Sequence, residues 1–335
     1  MEDKRRRNIS VFAGIFSLDL LARFSGQDTI FPFYHVVSDE DLPHMKHLYD
    51  YRSESQFEAD LETLLGHFTP ISIEDYLEER NRKGKRRRMV LSFDDGLIEC
   101  WRFIAPLLKK KGIPAIFFLN NDFIDNRGLF YRYKASLLVE HLAKDPDALG
   151  RTSEYMAVPA EMVSHAILMI TYQQAPLLDA LARQAGLDES SYVREHPVYM
   201  SASQIRELRE WGFHLGAHGT DHPRFSDMEV RMIPEGIHRS MEDIRRRFRV
   251  SPACFAFPFT SDGVPEGMID ELLREGIADV IFGTAGLKKT GRPDFIQRIP
   301  MEFHRLPASR LLKTEFLYYL MKAPLGRNEY FKSRS

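Results

Sequence analysis

Short runs of apolar residues recur along this chain, and most are followed by a stretch with helical spacing. The runs fall at residues 30–37, 90–93, 113–119, 213–217, 254–257 and 280–282, and they do not alternate with polar positions. Uninterrupted apolar strands suit a parallel sheet buried on both faces. Between them, Ser53 or Ser55 can cap a helix through Leu65 that carries Phe57, Leu61, Leu64 and Leu65 on one face. Residues 71–73 read as a short strand and 74–82 as a helix; 97–110 is a helix stopped by Gly112, and 203–211 one closed by Gly212. Residues 237–248 and 265–274 complete the helices. This β-α alternation predicts an α/β fold with a parallel sheet covered by helices, and the units are numerous enough for a barrel.

Residues 126–198 break the rhythm. They show helical periodicity (Leu137, Leu138, His141, Leu142, then Met162, Ile167, Leu168, Ile170) but no strong strand. They predict a helical insertion between two barrel strands, serving either substrate access or a purely structural cap. At the start of the chain, Lys4-Arg5-Arg6-Arg7 precedes an apolar stretch over 9–21 that Asp19 interrupts. It is too short and too charged to span a bilayer, and no Ala-x-Ala-like site follows. The expectation is an amphipathic helix lying on the barrel or at a membrane surface, with a signal sequence as the alternative. The chain thus divides into an amphipathic segment over 1–29, a barrel over 30–310 and a C-terminal helix and tail over 311–335. Its expected location is the cytoplasm or the inner membrane face, with no transmembrane span.

Composition changes this picture little. At 335 residues, 44% of them hydrophobic, the chain can bury a full core, and its formal charge of −2 gives no reason to expect nucleic acid as a partner. The basic run over 83–88 reads as a solvated loop. Cys100 and Cys254 form no metal-binding pattern and are expected as buried thiols rather than a disulfide.

The candidate chemistry sits where two of the apolar runs end. Asp94 and Asp95 close the run Met89-Val90-Leu91-Ser92-Phe93, and His218-Gly219-Thr220-Asp221-His222 follows another. In a parallel barrel, catalytic groups gather at the C-terminal ends of the strands. Neighbouring aspartates there point different ways, so one can hold a metal while the other faces the reacting water. Imidazole and carboxylate suit one divalent metal, zinc first, with nickel, cobalt or iron as alternatives. An isolated Asp-Asp-Gly is usually a turn, and an isolated His-x-x-x-His is usually surface. Their joint occurrence after buried strands points to a metal-dependent hydrolase.

Ser92-Phe93-Asp94-Asp95-Gly96 resembles the T/S-F-D-D-G motif of the polysaccharide deacetylase family, the NodB-homology or carbohydrate esterase family 4 enzymes. His218 to His222 resembles its H-S/T-x-x-H-type metal motif, with Gly219 where a hydroxyl residue is usual. Phe255-Ala256-Phe257-Pro258-Phe259 resembles the F-A-Y-P variant of its third motif. The resemblance implies a distorted (β/α)7-type barrel and removal of an acyl group, usually acetyl, from the nitrogen of an amino sugar or glycan precursor. It makes Asp94 the general base and Asp95, His218 and His222 the metal ligands. Two departures stand out. Ala256 occupies the place of the arginine that holds the catalytic aspartate in other members, for which Arg298 is a candidate substitute, a surface role being the alternative. The late motif that supplies the acid histidine is not evident, which leaves His35 and His304 as candidates, His35 first. Phe259, Asn120 and Arg298 are the candidates for contact with a carbohydrate substrate, with loop capping as the other reading of Asn120, and Tyr131, Arg132 and Lys134 of the insertion are weaker ones. The rival readings are a glycan-binding homologue without turnover and a hydrolase of non-sugar amides.

Overall fold

The computed structural model describes residues 9–79, 87–302 and 306–331. The apolar runs become short parallel strands. The first two runs lie side by side and each contributes to two sheets. β1 (Thr29–Ile30) and β4 (Arg88–Met89) join β3 (Thr69–Pro70) in a small sheet of order β1-β4-β3. The same two segments continue into the main sheet as β2 (Pro32–Tyr34) and β5 (Leu91–Phe93), with Phe33 opposite Ser92 and Tyr34 opposite Phe93.

The main sheet adds β6 (Ala115–Leu119), β7 (His214–Ala217), β8 (Cys254–Ala256), β9 (Val280–Gly283), β10 (Phe295–Gln297) and β11 (Ile299–Pro300). Its order is β10-β9-β8-β7-β6-β5-β2-β11, and every pairing is parallel. The two edge strands are one piece of chain, separated only by Arg298. Residues 295–297 pair with β9 and residues 299–300 with β2, so this segment closes the sheet on itself. The eight strands therefore occupy seven positions around a (β/α)7-type barrel.

Both faces of β2, β5, β6, β8, β9 and β10 are buried. On β6, Ile116 and Phe118 join Val90, Cys254, Ala256, Val280 and Phe282 in the lumen. Ala115, Phe117 and Leu119 face outward under the helices, with Leu91, Phe93, Phe255 and Ile281. This explains runs without polar alternation. Helix Glu54–His67 starts at a capping box of Ser53 and Gln56, so of the two candidate caps Ser53 is the one used.

Two elements differ from expectation. The strand expected at 71–73 starts two residues earlier, at β3, because the Ser72 hydroxyl accepts from the Asp75 N–H and starts helix Ile73–Glu79. The helix expected over 97–110 opens with a π turn, Cys100–Ile104, before the α-helix Ala105–Lys111. Pro106 has no N–H to continue an α ladder backwards. Cys100 and Cys254 are buried free thiols.

Between β6 and β7 the insertion forms five helices, Tyr131–Lys144, Pro146–Met156, Ala160–Leu168, Ala175–Ala185 and Glu189–Glu195. They pack around their own core of Leu138, Leu142, Val163, Ile167, Leu178 and Leu181. At the N-terminus, helix Leu18–Ser25 buries Leu18, Leu21 and Ala22 in the core it shares with Leu311, Leu312 and Phe316 of the C-terminal helix Ala308–Lys322. Among the described residues no helix is long and apolar enough to cross a membrane.

Candidate active site

The site begins with alternation along β5. Ser92 and then Asp94 face the lumen, where Arg298 enters from the barrel seam. The Arg298 guanidinium donates to both Asp94 oxygens at 2.7 and 2.8 Å and to the Ser92 hydroxyl at 3.1 Å. It lies over the rings of Phe33 at 4.3 Å and Phe118 at 5.0 Å. Arg298 is 0% exposed and Asp94 1%. Charges this deep persist only when paired, and a bidentate guanidinium is the pairing best matched to a carboxylate. Burial pushes the Asp94 carboxyl up, but the Arg298 charge outweighs it and holds Asp94 below the usual carboxylate range. Arg298 is therefore not at the substrate surface; it stands behind Asp94, on the far side from the cavity. Ala256, at the motif position where an arginine is usual, sits in the lumen with Phe118 and Phe282, two of the rings that Arg298 packs against.

Asp95 diverges from Asp94 because its backbone is left-handed, with φ 70°. Non-glycine residues in this region are uncommon and cluster at functional sites. His222 and Phe259 share the feature, at φ 60° and 58°. Asp95 Oδ1 is 3.1 Å from His222 Nε2 and 3.6 Å from His218 Nε2, and the three residues can offer ligand atoms all within 4.8 Å of one another. The opposite carboxylate oxygen accepts from the Tyr133 hydroxyl at 2.6 Å. Gly219 adopts φ 82°, and a Cβ there would meet Pro223 Cδ at 2.9 Å. Glycine in place of the family's usual hydroxyl residue is thus what this loop requires.

The electrostatics of this cluster are informative. His218 Nδ1 lies 2.8 Å from the Ala256 carbonyl, which can only accept, so Nδ1 carries the proton. Burial drives the His218 pKa down to about 4, leaving the ring neutral. Its Nε2 lone pair then faces Asp95 Oδ1 at 3.6 Å and Asp94 Oδ2 at 3.8 Å, three acceptors directed at one another. Asp95 Oδ1 and His222 Nδ1 are also buried without a hydrogen-bond partner. Burial raises the Asp95 carboxyl, but the neighbouring His222, and His35 after it, outweigh it and keep it ionised.

His35 follows β2, and its Nδ1 is 2.6 Å from Glu302 Oε2. The other Glu302 oxygen accepts the backbone N–H groups of His35 and Val36 at 2.9 and 3.0 Å. Burial opposes the imidazolium, but the charge of Glu302, with Asp95 and Asp94 beyond it, raises the His35 pKa to about 9. His304, the other candidate acid, lies outside the described residues.

A cavity of about 360 Å³ connects these groups. Asp94, Asp95, His218, His222 and His35 form its polar floor, and Tyr49, Phe130, Phe259, Arg132 and Arg224 stand around it. Phe259 thus lines the cavity. Asn120 does not: it is 2% exposed, and its amide donates to the His218 carbonyl at 2.6 Å, tethering the histidine loop to the end of β6. Of the insertion residues, Phe130, Arg132 and Tyr133 reach the cavity, whereas Tyr131 does not line it and Lys134 is ion-paired with Glu189 at 3.0 Å. Tyr133 and Glu302 carry little signal in the sequence. Tyr133 reads as a core aromatic on a helix; Glu302 could have been noticed only as the first acid after the last barrel strand.

The sequence model of the family described as polysaccharide deacetylase matches residues 81–274, more than half of the chain. Among solved structures, IcaB from Ammonifex degensii is similar with 17% identity and a TM-score of 0.54, over 86% of this chain and 98% of that one. The Streptococcus pyogenes deacetylase PplD, in complex with acetate, is similar with 11% identity and a TM-score of 0.54, over 85% and 97%. A de-N-acetylase from Aggregatibacter actinomycetemcomitans is similar with 13% identity and a TM-score of 0.52, over 85% and 99%. No curated protein matches the chain. At these identities the solved structures support the barrel architecture, while the sequence match, spanning the two aspartates and the histidine pair, establishes that the chain belongs to the polysaccharide deacetylase family.

Proposed function

We propose that this protein is a metal-dependent hydrolase that removes an N-acetyl group from an acetamido sugar or glycan precursor. The observation that carries the metal is the His218 geometry: a neutral imidazole lone pair aimed at two carboxylates is repulsive unless a cation lies between them. Asp95, His218 and His222 would hold that ion, and their donor set of two imidazoles and a carboxylate suits zinc, with nickel, cobalt and iron as alternatives. When bound, a divalent ion supplies Lewis acidity toward an acyl oxygen and makes water more acidic.

The remaining chemistry belongs to the protein. Asp94, kept ionised and fixed in orientation by Arg298, takes the proton from the attacking water. His35 is oriented through Nδ1 by Glu302 and is protonated at neutral pH, so its Nε2 can donate to the leaving nitrogen. An amine departs poorly without that proton. Phe130 and Phe259 hold the His222 ring from two sides at 4.3 and 4.8 Å and provide apolar walls beside the sugar.

The direct test combines metal analysis of the purified protein with acetate release across N-acetylglucosamine oligomers, other acetamido sugars and simple acylamides. Acetate from sugars and about one equivalent of metal are expected. Tight sugar binding without release would instead indicate a glycan-binding protein, and release confined to simple amides a different substrate class.

Two variants probe the supporting residues. Tyr133→Phe removes the hydroxyl that orients Asp95 and is expected to weaken metal binding roughly tenfold to a hundredfold, read by chelator competition. Unchanged affinity would refute that role. For Glu302→Gln the expectation concerns pH. His35 must be protonated to act, so activity is present below its pKa and is lost as pH rises through about 9. Removing the Glu302 charge moves that alkaline limb to lower pH. A profile identical to that of the unaltered protein would exclude His35 as the acid that Glu302 tunes.

A further inference from the structure

The N-terminal segment buries one apolar face and leaves a second uncovered. Ala13, Leu18, Leu21 and Ala22 are buried, yet Val11 is 66% exposed, Phe12 62%, Ile15 79%, Phe16 39%, Leu20 45% and Phe24 69%. These are six of the fourteen exposed large hydrophobics among the described residues, gathered between positions 11 and 24. Such crowding is not the single-residue scatter of an ordinary surface. Leu20 and Phe24 lie one turn apart on helix Leu18–Ser25, so they share a face. Arg310 donates to the Val11 carbonyl at 3.1 Å and ties the segment to the C-terminal helix. That helix itself ends in exposed Met321, with exposed Leu325 just after it.

Charge indicates what covers this face. Lys4-Arg5-Arg6-Arg7 immediately precedes it in sequence, only half offset by Glu2 and Asp3, and Arg23 adjoins Phe24. The acidic residue inside the segment, Asp19, is already engaged by Arg87 at 3.0 Å and His67 at 3.2 Å. A second copy of the chain, related by a two-fold axis across this face, would oppose two like basic runs. An anionic lipid surface instead complements both the charge and the apolar side chains.

We propose that residues 9–25 are an interfacial anchor that binds this protein to bilayers rich in anionic phospholipid, lying in the headgroup region rather than crossing it. None of its described residues lines the catalytic cavity, so the inference is independent of the catalytic reading. The test is co-sedimentation of the full chain with vesicles of phosphatidylcholine alone and with vesicles in which about a third of the lipid is phosphatidylglycerol. Binding is expected only to the second and is expected to fall as salt rises. Two multiple variants separate the contributions, Phe12→Ser with Ile15→Ser and Phe24→Ser, and Lys4→Gln with Arg5→Gln, Arg6→Gln and Arg7→Gln. Each should weaken vesicle binding about tenfold or more while leaving acetate release from soluble substrate unchanged. Equal binding to both vesicle types, or binding unaffected by the variants, would overturn the proposal. So would a dimer in sedimentation velocity that the first variant dissociates, with no vesicle binding by the unaltered protein.

Discussion

Asp94→Asn is expected to lower acetate release by about a hundredfold to ten-thousandfold, the range spanned by positioned general bases, while metal stays bound. The side chain keeps its shape and loses its capacity to take a proton. Asp94 is not among the three residues whose ligand atoms converge, so nothing in the metal pocket is removed. The contrast is the double variant His218→Ala with His222→Ala. It deletes two of the three ligands and is expected to lose both metal and turnover. Metal analysis and acetate release on the same preparations separate the two effects. An Asp94→Asn protein that turns over near the normal rate would remove Asp94 from the mechanism, and full metal occupancy in the double histidine variant would remove the metal site.

What the sequence made legible follows from how local each interaction is. Asp94 and Asp95 are adjacent, and the histidine loop spans five residues, so each half of the site is a short string ending a buried strand. The barrel was legible for the same reason, since its strands are buried on both faces and read as unbroken apolar runs. Long-range pairing was harder to read. Arg298 meets Asp94 across 204 positions, through a seam at which one extended segment joins the first and last staves. Sequence could offer it as a substitute for the missing motif arginine but could not place it behind Asp94 rather than beside the substrate. Asn120 carried two readings, a sugar contact and a loop cap, and the structure has the second. A polar side chain after a barrel strand suggests a pocket, yet the Asn120 amide donates to the His218 and Gly219 carbonyls at 2.6 and 3.4 Å. Tyr133 escapes notice because its neighbours on the helix, Tyr131, Arg132 and Lys134, are as polar or as aromatic as it is. Only the helix's placement over the barrel selects Tyr133 to reach Asp95.

Arg298→Met should destabilise the protein by about 3–5 kcal/mol near neutral pH, the usual result of stripping one partner from a buried ion pair. Methionine retains much of the stem that packs against Phe33 and Phe118, so the loss is chiefly that of the charge. The pH dependence gives a sharper signature. In the unaltered protein the folded-state pKa of Asp94 is depressed, so its contribution to stability is present above the unfolded-state carboxylate pKa and is lost as pH falls through the lower folded value. Without Arg298, burial dominates and the Asp94 pKa rises above its unfolded value. The penalty then shrinks as pH falls and the carboxyl becomes neutral. Thermal melts in the presence of chelator, at about pH 7.5 and about pH 5, should therefore show the variant closing the gap at the lower pH. The double variant Arg298→Met with Asp94→Leu removes both charges, and apolar replacement of a buried pair is often neutral or better for stability. It should recover most of the lost melting temperature and none of the acetate release. That combination separates the pair's contribution to folding from its contribution to turnover, and an Arg298→Met protein as stable as the unaltered one at neutral pH would show that the pairing at the barrel seam does not hold the fold.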